Sequence, residues 1–398
     1  MAVIDEQSAT SERTSLAKLW YNKEFRGILT QVLIVGLVAG FAIYIVNNVS
    51  DNLARLGVAS GFDFLWQPSF YDINQTLISY TSQDTHFRAY MVGLINTLIV
   101  AVVGCFLATI LGFLAGVLRL SPNWLINRMV YCWIEFSRNV PILLQILLWY
   151  AIILQLPRVR DSLDLGGGFF LNNRGLFAPR PGFETGSEIV GFIFLASVIG
   201  AIAFARWAKK RQDLTGEIRP VFLICTALVT LPPILAFLAL GSPVTLDFPE
   251  LRGFNFQGGV ALRPELVALT WALALYTAAF IAEVVRAGIQ SVSHGQTEAA
   301  YALGLRPNRT MRLIVIPQAM RVIVPPLTSQ YLNLTKNSSL AIAIGYMDVV
   351  ATIGGITLNQ TGQAIECIAI TMATYLMFSL IISAFMNWYN QRVALKER

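Results

Sequence analysis

The stretch Glu298–Pro317, EAAYALGLRPNRTMRLIVIP, separates two apolar runs with a polar, arginine-dotted segment in which Ala-Ala, Gly and Pro stand at regular offsets. The seven residues from Thr297 to Leu303 have helix-forming character, and Glu298 in the first turn complements the positive end of the helix dipole. Gly304 reads as a C-cap, and Pro307 as the first-turn proline of a second helix running from Asn308 to Ile316 into Pro317. A two-turn helix is marginal in water without packing. Ala299, Ala300 and Ala302 form a small-residue surface that another backbone can approach closely. Arg306, Arg309 and Arg312 recur every third residue, toward anionic partner groups or lipid headgroups. Residue chemistry leaves two readings open here: a helix that docks another protein, and an interfacial helix that only anchors the loop.

The rest of the chain decides where this stretch lies. Its 398 residues are 55% hydrophobic and 13% charged, with mean hydropathy +0.60, more apolar than one soluble core requires. The chain is expected to be an all-α polytopic membrane protein. Runs of about twenty apolar residues, enough to cross the hydrocarbon core, occur near 27–47, 90–118, 139–156, 188–205, 220–241, 264–285, 320–346 and 362–388, which makes about eight transmembrane helices. Eight spans put both termini on one side. The loops on that side hold twenty Lys and Arg against eight opposite, so both termini and the Glu298 stretch are expected in the cytoplasm.

The net charge of +6 follows from this topology. No basic cluster on a polar domain and no interleaved stacking aromatics point to nucleic acid. Cys105, Cys132, Cys225 and Cys367 lack CxxC spacing and nearby His, and read as small buried apolar residues. The N-terminal MAVIDEQSATSERTSLAKLW is polar and mixed in charge, so no cleaved signal peptide is expected. GGGFF at Gly166–Phe170, near Asn172 and Asn173, falls in a Gly-rich outer loop without the GK[ST] of a phosphate cradle. The GxxxG pairs Gly36/Gly40 and Gly112/Gly116 suit close helix packing.

The Glu298 stretch resembles the EAA loop of ABC importer permeases: EAA, three residues, Gly, nine residues, then I-x-L-P. Glu298-Ala299-Ala300, Gly304, Ile314, Ile316 and Pro317 occupy those positions, with Ile316 replacing Leu. YMVGLINTL (Tyr90–Leu98), IEFSRNVPILLQILLWY (Ile134–Tyr150), YTAAFIAEVVRAGIQSVSHGQTEAA (Tyr276–Ala300) and NLTKNSSLAIAIG (Asn333–Gly345) resemble, in order, recurring segments of the polar amino acid (histidine/glutamine-type) branch. The resemblance covers about half the chain, roughly 88–156 and 264–390. It implies a five-helix permease core, preceded by an extra N-terminal span and split by an inserted helix pair. The expected organisation is 1–87 for the cytoplasmic N-terminus, first span and periplasmic loop, and 88–156 for the first part of the core. The inserted loop and helix pair take 157–263, and the second part of the core takes 264–398, with its EAA loop at 286–318. This layout is similar to the Q-type permeases of general L-amino acid importers.

No GxxxxGK[ST] occurs, so ATP and Mg are expected on a separate ABC ATPase subunit. The resemblance implies that the helix at Glu298 sits in a groove of that subunit. Glu298, Ala299, Ala300, Gly304, Arg306, Pro307, Ile314 and Pro317 are the expected coupling residues. It also implies a second permease, preferably a related chain in a heterodimer, a periplasmic amino-acid-binding protein, and a bacterial inner membrane.

Ionisable groups inside spans are functional hypotheses by default. Lys336 lies in NLTKNSSLA with Asn333, Thr335, Asn337, Ser338 and Ser339, and Gln330 stands seven residues before Asn337. Two readings stand: a substrate pathway in which Lys336 attracts the α-carboxylate, and a structural ion pair with Glu366. The family usually reads K-D-[ST]-S here, and Asn337 in place of Asp argues against a site dedicated to cationic amino acids. Glu135/Arg138 and Glu283/Arg286, spaced i, i+3, read as anchoring or gating pairs near the ATPase. His86, in an outer loop, and His294 have no second ligand for a metal. No HExxH, GxSxG or paired intramembrane Asp marks a catalytic site. The alternative function is an ion-coupled secondary amino acid transporter using Lys336 and Glu366, which would have no use for the EAA spacing.

Overall fold

The computed structural model describes residues 23–55 and 61–393; the polar N-terminal stretch and the last five residues, both expected in the cytoplasm, lie outside them. Helix α1, Lys23–Arg55, stands apart from the remainder with its apolar side chains exposed. Helix α2, His86–Leu118, packs along α7, Pro264–Gln290, the most buried of the long apolar helices among the described residues. This approach requires small residues. A Cβ on Gly112 would stand 2.6 Å from that of Ile281, and one on Gly116 would stand 2.7 Å from that of Val285. Facing them, α7 offers Ala278 and Ala282, both fully buried. Gly36 and Gly40 of α1 meet nothing within 4 Å.

Between these helices lie α3, Trp124–Asn139, and α4, Ile142–Leu154. The sequence suggests one span at 139–156 after a loop. Instead α3 is helical, and the pair bends by 112° at Pro141. Proline has no N–H to continue a helix, and it holds Val140 extended. Gln145 repairs the break, its Nε2 donating to the carbonyls of Ser137 at 2.8 Å and Val140 at 2.9 Å. Among the described residues six helices are long and apolar enough to cross a membrane, or seven when the bent pair is counted as one span. The place of the 320–346 span is taken by α10, Ile316–Asn337, continued as a tighter helix over Ser338–Ile344. Its many polar residues lower its hydropathy.

The inserted segment is more ordered than a Gly-rich loop. Strands β1 (Leu163–Asp164), β2 (Phe170–Asn172), β3 (Gly175–Ala178) and β8 (Val260–Leu262) form an antiparallel sheet in that order. Strand β4 (Arg180–Phe183) pairs with β5 (Val244–Asp247), and β6 (Glu250–Arg252) with β7 (Asn255–Gln257). Strands this short carry no readable alternation. The β4–β5 pairing closes the base of a hairpin of α5, Ser187–Thr215, and α6, Val221–Ala239, which pack on each other and leave their outer faces apolar and exposed.

Beyond α7 follow α8, His294–Ala302, and α9, Pro307–Thr310. After α10 come a π-helical segment at Val350–Thr357, α11 at Leu358–Thr361 and α12 at Ala364–Val393. A strap, residues 61–85, covers the end of the molecule opposite α8. Gly61 donates to Glu366 Oε1 at 2.8 Å, Asn96 Nδ2 donates to the Gln75 carbonyl at 2.9 Å, and Arg263 N–H donates to Gln75 Oε1 at 3.0 Å.

Candidate functional site

Helix α8 begins three residues before Thr297 and ends in a Schellman motif. Gly304, at φ +74°, donates to the Tyr301 carbonyl at 2.9 Å, and Leu305 donates to that of Ala300 at 3.0 Å. Pro307 opens α9 as its first-turn proline. The chain does not stop at Pro317. A widened π turn over Met311–Val315 precedes it and takes up the bond that proline cannot make, so the helix runs on into α10. Gln318 Nε2 donates to Gln296 Oε1 at 3.0 Å, tying α8 to the foot of α10.

The small residues of the EAA segment divide by side. Ala300 is 1% exposed and faces the body of the protein, whereas Ala299 and Ala302 are exposed. Glu298 points outward beside His294, its Oε1 3.6 Å from the His294 Nδ1. Leu303 is 80% exposed, and Tyr301, Met311 and Leu313 are exposed with it. Arg306, Arg309 and Arg312 are exposed as well, and among the described residues none is in an ion pair. Ile314 is half-buried and Pro317 exposed. The surface therefore combines a carboxylate, bare apolar side chains and guanidinium groups across α8, α9 and the π turn that follows.

Along α10 the exposed positions Val322, Pro326, Ser329, Asn333 and Lys336 alternate in steps of four and three, which puts them on one face. Ile323, Leu327 and Leu334 fill the core from the opposite side. Pro325 and Pro326 leave the carbonyls of Arg321 and Val322 without their intrahelical donors. Polar groups bared in this way at membrane depth need water or a polar neighbour. Gln330 and Asn337 are half-buried beside this face. Ser338 departs from the expected pathway set: it is fully buried, and its Oγ donates to the Thr335 carbonyl at 2.7 Å. Ser339 likewise turns its hydroxyl back to the Lys336 carbonyl at 2.7 Å.

The ion pair between Lys336 and Glu366 does not form. The Glu366 carboxylate accepts from Gly61, and Lys336 is exposed without an ion pair among the described residues. The two helix-end pairs do form. Arg286 reaches Glu283 Oε2 through Nη2 at 2.8 Å and Nε at 3.0 Å, while Arg138 lies 3.8 Å from Glu135. Among the described residues no group of three or more His, Cys, Asp or Glu is arranged to hold a metal.

Sequence reasoning missed the buried turn around Asp348, which is held by α2 and α12. Asp348, fully buried, accepts the Ala351 N–H at 2.9 Å and the Tyr375 hydroxyl at 3.0 Å. Val349 N–H donates to Thr97 Oγ1 at 3.2 Å, and Asn96 Nδ2 donates to the Met347 carbonyl at 2.9 Å. Gly93 leaves the space for this turn, since a Cβ there would collide with Thr352. Gly345, at φ +75°, and the acidic residue three positions on were the available signal. His86, expected in a loop, is buried at the start of α2, with Nδ1 3.0 Å from Thr357 Oγ1.

Residues 216–395 match the model of a family described as the binding-protein-dependent transport system inner membrane component. Over 385 residues the chain is 48% identical to the general L-amino acid transport system permease protein AapQ of Rhizobium johnstonii, with 96% of each chain covered. It is 47% identical over 380 residues to the putative amino-acid ABC transporter permease protein YhdX of Escherichia coli, covering 95% of this chain and 96% of the relative. It is 46% identical over 415 aligned positions to the glutamate/glutamine/aspartate/asparagine transport system permease protein BztB of Rhodobacter capsulatus, covering 96% and 97%.

Proposed function

The chain belongs to the amino-acid ABC importer permeases, and from that premise we propose that it forms the translocation pathway for L-amino acids and couples it through α8 to a partner ATPase. It is a multi-pass transport component, not an enzyme. ATP and Mg belong, in this reading, to the ATPase. The observation that carries the coupling role is the rigid path from α8 to α10: the Schellman end at Gly304, the bond from Gln318 to Gln296, and the helix unbroken through Pro317.

A groove of the ATPase receives Leu303 and Tyr301 in apolar contact, with Glu298 and the three arginines at its rim. When the groove closes, a lever of this kind moves as a body, whereas a flexible loop would absorb the motion. The displacement reaches the face of α10 that bears Asn333 and Lys336. A second, related permease lies across this face and completes a pathway that one chain leaves open. Lys336 then attracts the α-carboxylate common to all amino acids. A periplasmic binding protein delivers the cargo at the end covered by the strap, and both termini are cytoplasmic.

Reconstituting the complete importer and measuring substrate-stimulated ATP hydrolysis against uptake tests this. Gly304→Val and Glu298→Lys are expected to leave the permease in the membrane while hydrolysis no longer drives uptake. Unchanged coupling in both variants would remove the docking role.

A further inference from the structure

The hairpin of α5 and α6 is held at its base by the β4–β5 pairing. At its other end the sequence ARWAKKRQDLTGEIRP, residues 205–220, ends one helix and turns into the next. Cys225 Sγ donates to the Ala201 carbonyl at 3.4 Å, which puts these two residues at one level. Helix α6 starts at Val221, one turn before Cys225, whereas α5 runs on to Thr215. The last ten residues of α5, 206–215, therefore project past α6, by about 15 Å at about 1.5 Å per residue.

Five cations crowd this end: Arg206, Lys209, Lys210, Arg211 and Arg219. The structure divides them into two groups. Arg211 and Arg219 are used by the turn itself. Both pair with Glu217, at 3.4 and 3.0 Å, and both lie over the Trp207 ring, 5.4 and 4.9 Å from its centre. Arg206, Lys209 and Lys210 are exposed, and among the described residues they are in no ion pair.

These three lie on the face turned away from α6. The buried positions of α5 are Ser197, Ala201 and Ala208, which share one side of a helix with 3.6 residues per turn. On the opposite side Phe192, Leu195, Ile199, Ile202, Arg206 and Lys209 follow in steps of three and four, all of them exposed. Lys210 widens this row, and Asp213, next along it, offsets one of the three charges. One continuous face is thus bare hydrocarbon for four positions and cationic from the next turn on. An acidic protein surface would meet the cations but not the apolar row that leads up to them. A single anionic phospholipid meets both. We propose that the outward face of α5 binds such a lipid, with its acyl chains along 192–202 and its phosphate held by Arg206, Lys209 and Lys210. The site is a property of the hairpin and does not rest on the transport reading.

Native mass spectrometry of the purified full-length chain, stripped of lipid in detergent and titrated with phosphatidylglycerol or phosphatidylcholine, reads the Kd of the first lipid bound. Phosphatidylglycerol is expected to bind at least ~tenfold more tightly. The triple variant Arg206→Gln, Lys209→Gln, Lys210→Gln should lose about that factor for phosphatidylglycerol and nothing for phosphatidylcholine, whose unchanged binding also shows that the fold is intact. The charge-keeping variant Arg206→Lys, Lys209→Arg, Lys210→Arg should bind as the wild type does. Glycerol 3-phosphate in excess should displace no lipid, because it lacks the chains that the apolar row receives. Equal affinity for the two lipids, or unaltered phosphatidylglycerol binding by the neutral variant, would overturn the site. Displacement by glycerol 3-phosphate would overturn the lipid as its occupant.

Discussion

Gly304 shows how much a single residue settles in the EAA segment. Its φ of +74° is one that L residues other than Asn and Asp rarely adopt, while a Cβ there would meet nothing within 4 Å. The cost of substitution therefore lies in the backbone, about 1–2 kcal/mol. Gly304→Asn, which tolerates the left-handed region, should retain most substrate-stimulated ATP hydrolysis, and Gly304→Val should lose it. Equal loss in both would shift the requirement from backbone shape to the bare surface. Gln145 is the second such residue. Gln145→Leu strands the carbonyls of Ser137 and Val140 at the α3–α4 bend, and should destabilise the protein by about 1–3 kcal/mol, read as a lower unfolding midpoint in detergent.

Among the elements, the two GxxxG pairs have opposite fates despite identical spacing. Gly112 and Gly116 let α2 press onto α7, while Gly36 and Gly40 on α1 meet nothing within 4 Å among the described residues. Gly112→Val should cost about 1–3 kcal/mol through overpacking against Ile281. Gly36→Val should leave the unfolding midpoint of the isolated chain where it was. Thermal unfolding of the two variants side by side checks the contrast; an equal fall in both would mean that α1 packs on the core. The motif is plain in the sequence, but which pair has a partner helix is not, because spacing describes one surface and packing needs two.

For the molecule as a whole, the unmatched face of α10 is the decisive feature. Its polar and proline positions stay exposed, and lipid hydrocarbon cannot satisfy such groups. Lys336→Met should cut uptake at least tenfold in an assembled importer, with Lys336→Arg recovering part of it; full uptake by Lys336→Met would remove the lysine from the pathway. Much of this organisation is legible in the amino-acid sequence. Apolar run length marks helices that must satisfy their backbones internally. The offsets of EAA, Gly304 and Pro307 mark a helix, its end and a restart, because caps and prolines act within one turn. Other features depend on residues far apart in the chain. Glu366 is held by Gly61 rather than Lys336, Ser338 turns inward, Asp348 is held by Tyr375 and the Ala351 N–H, and strands of two to four residues pair across the inserted hairpin. Local pattern determined most of the long apolar helices, and where α8 ends and α9 restarts. Only the tertiary structure decided which buried polar group meets which, since a hydrogen bond across hundreds of residues leaves no period in the sequence.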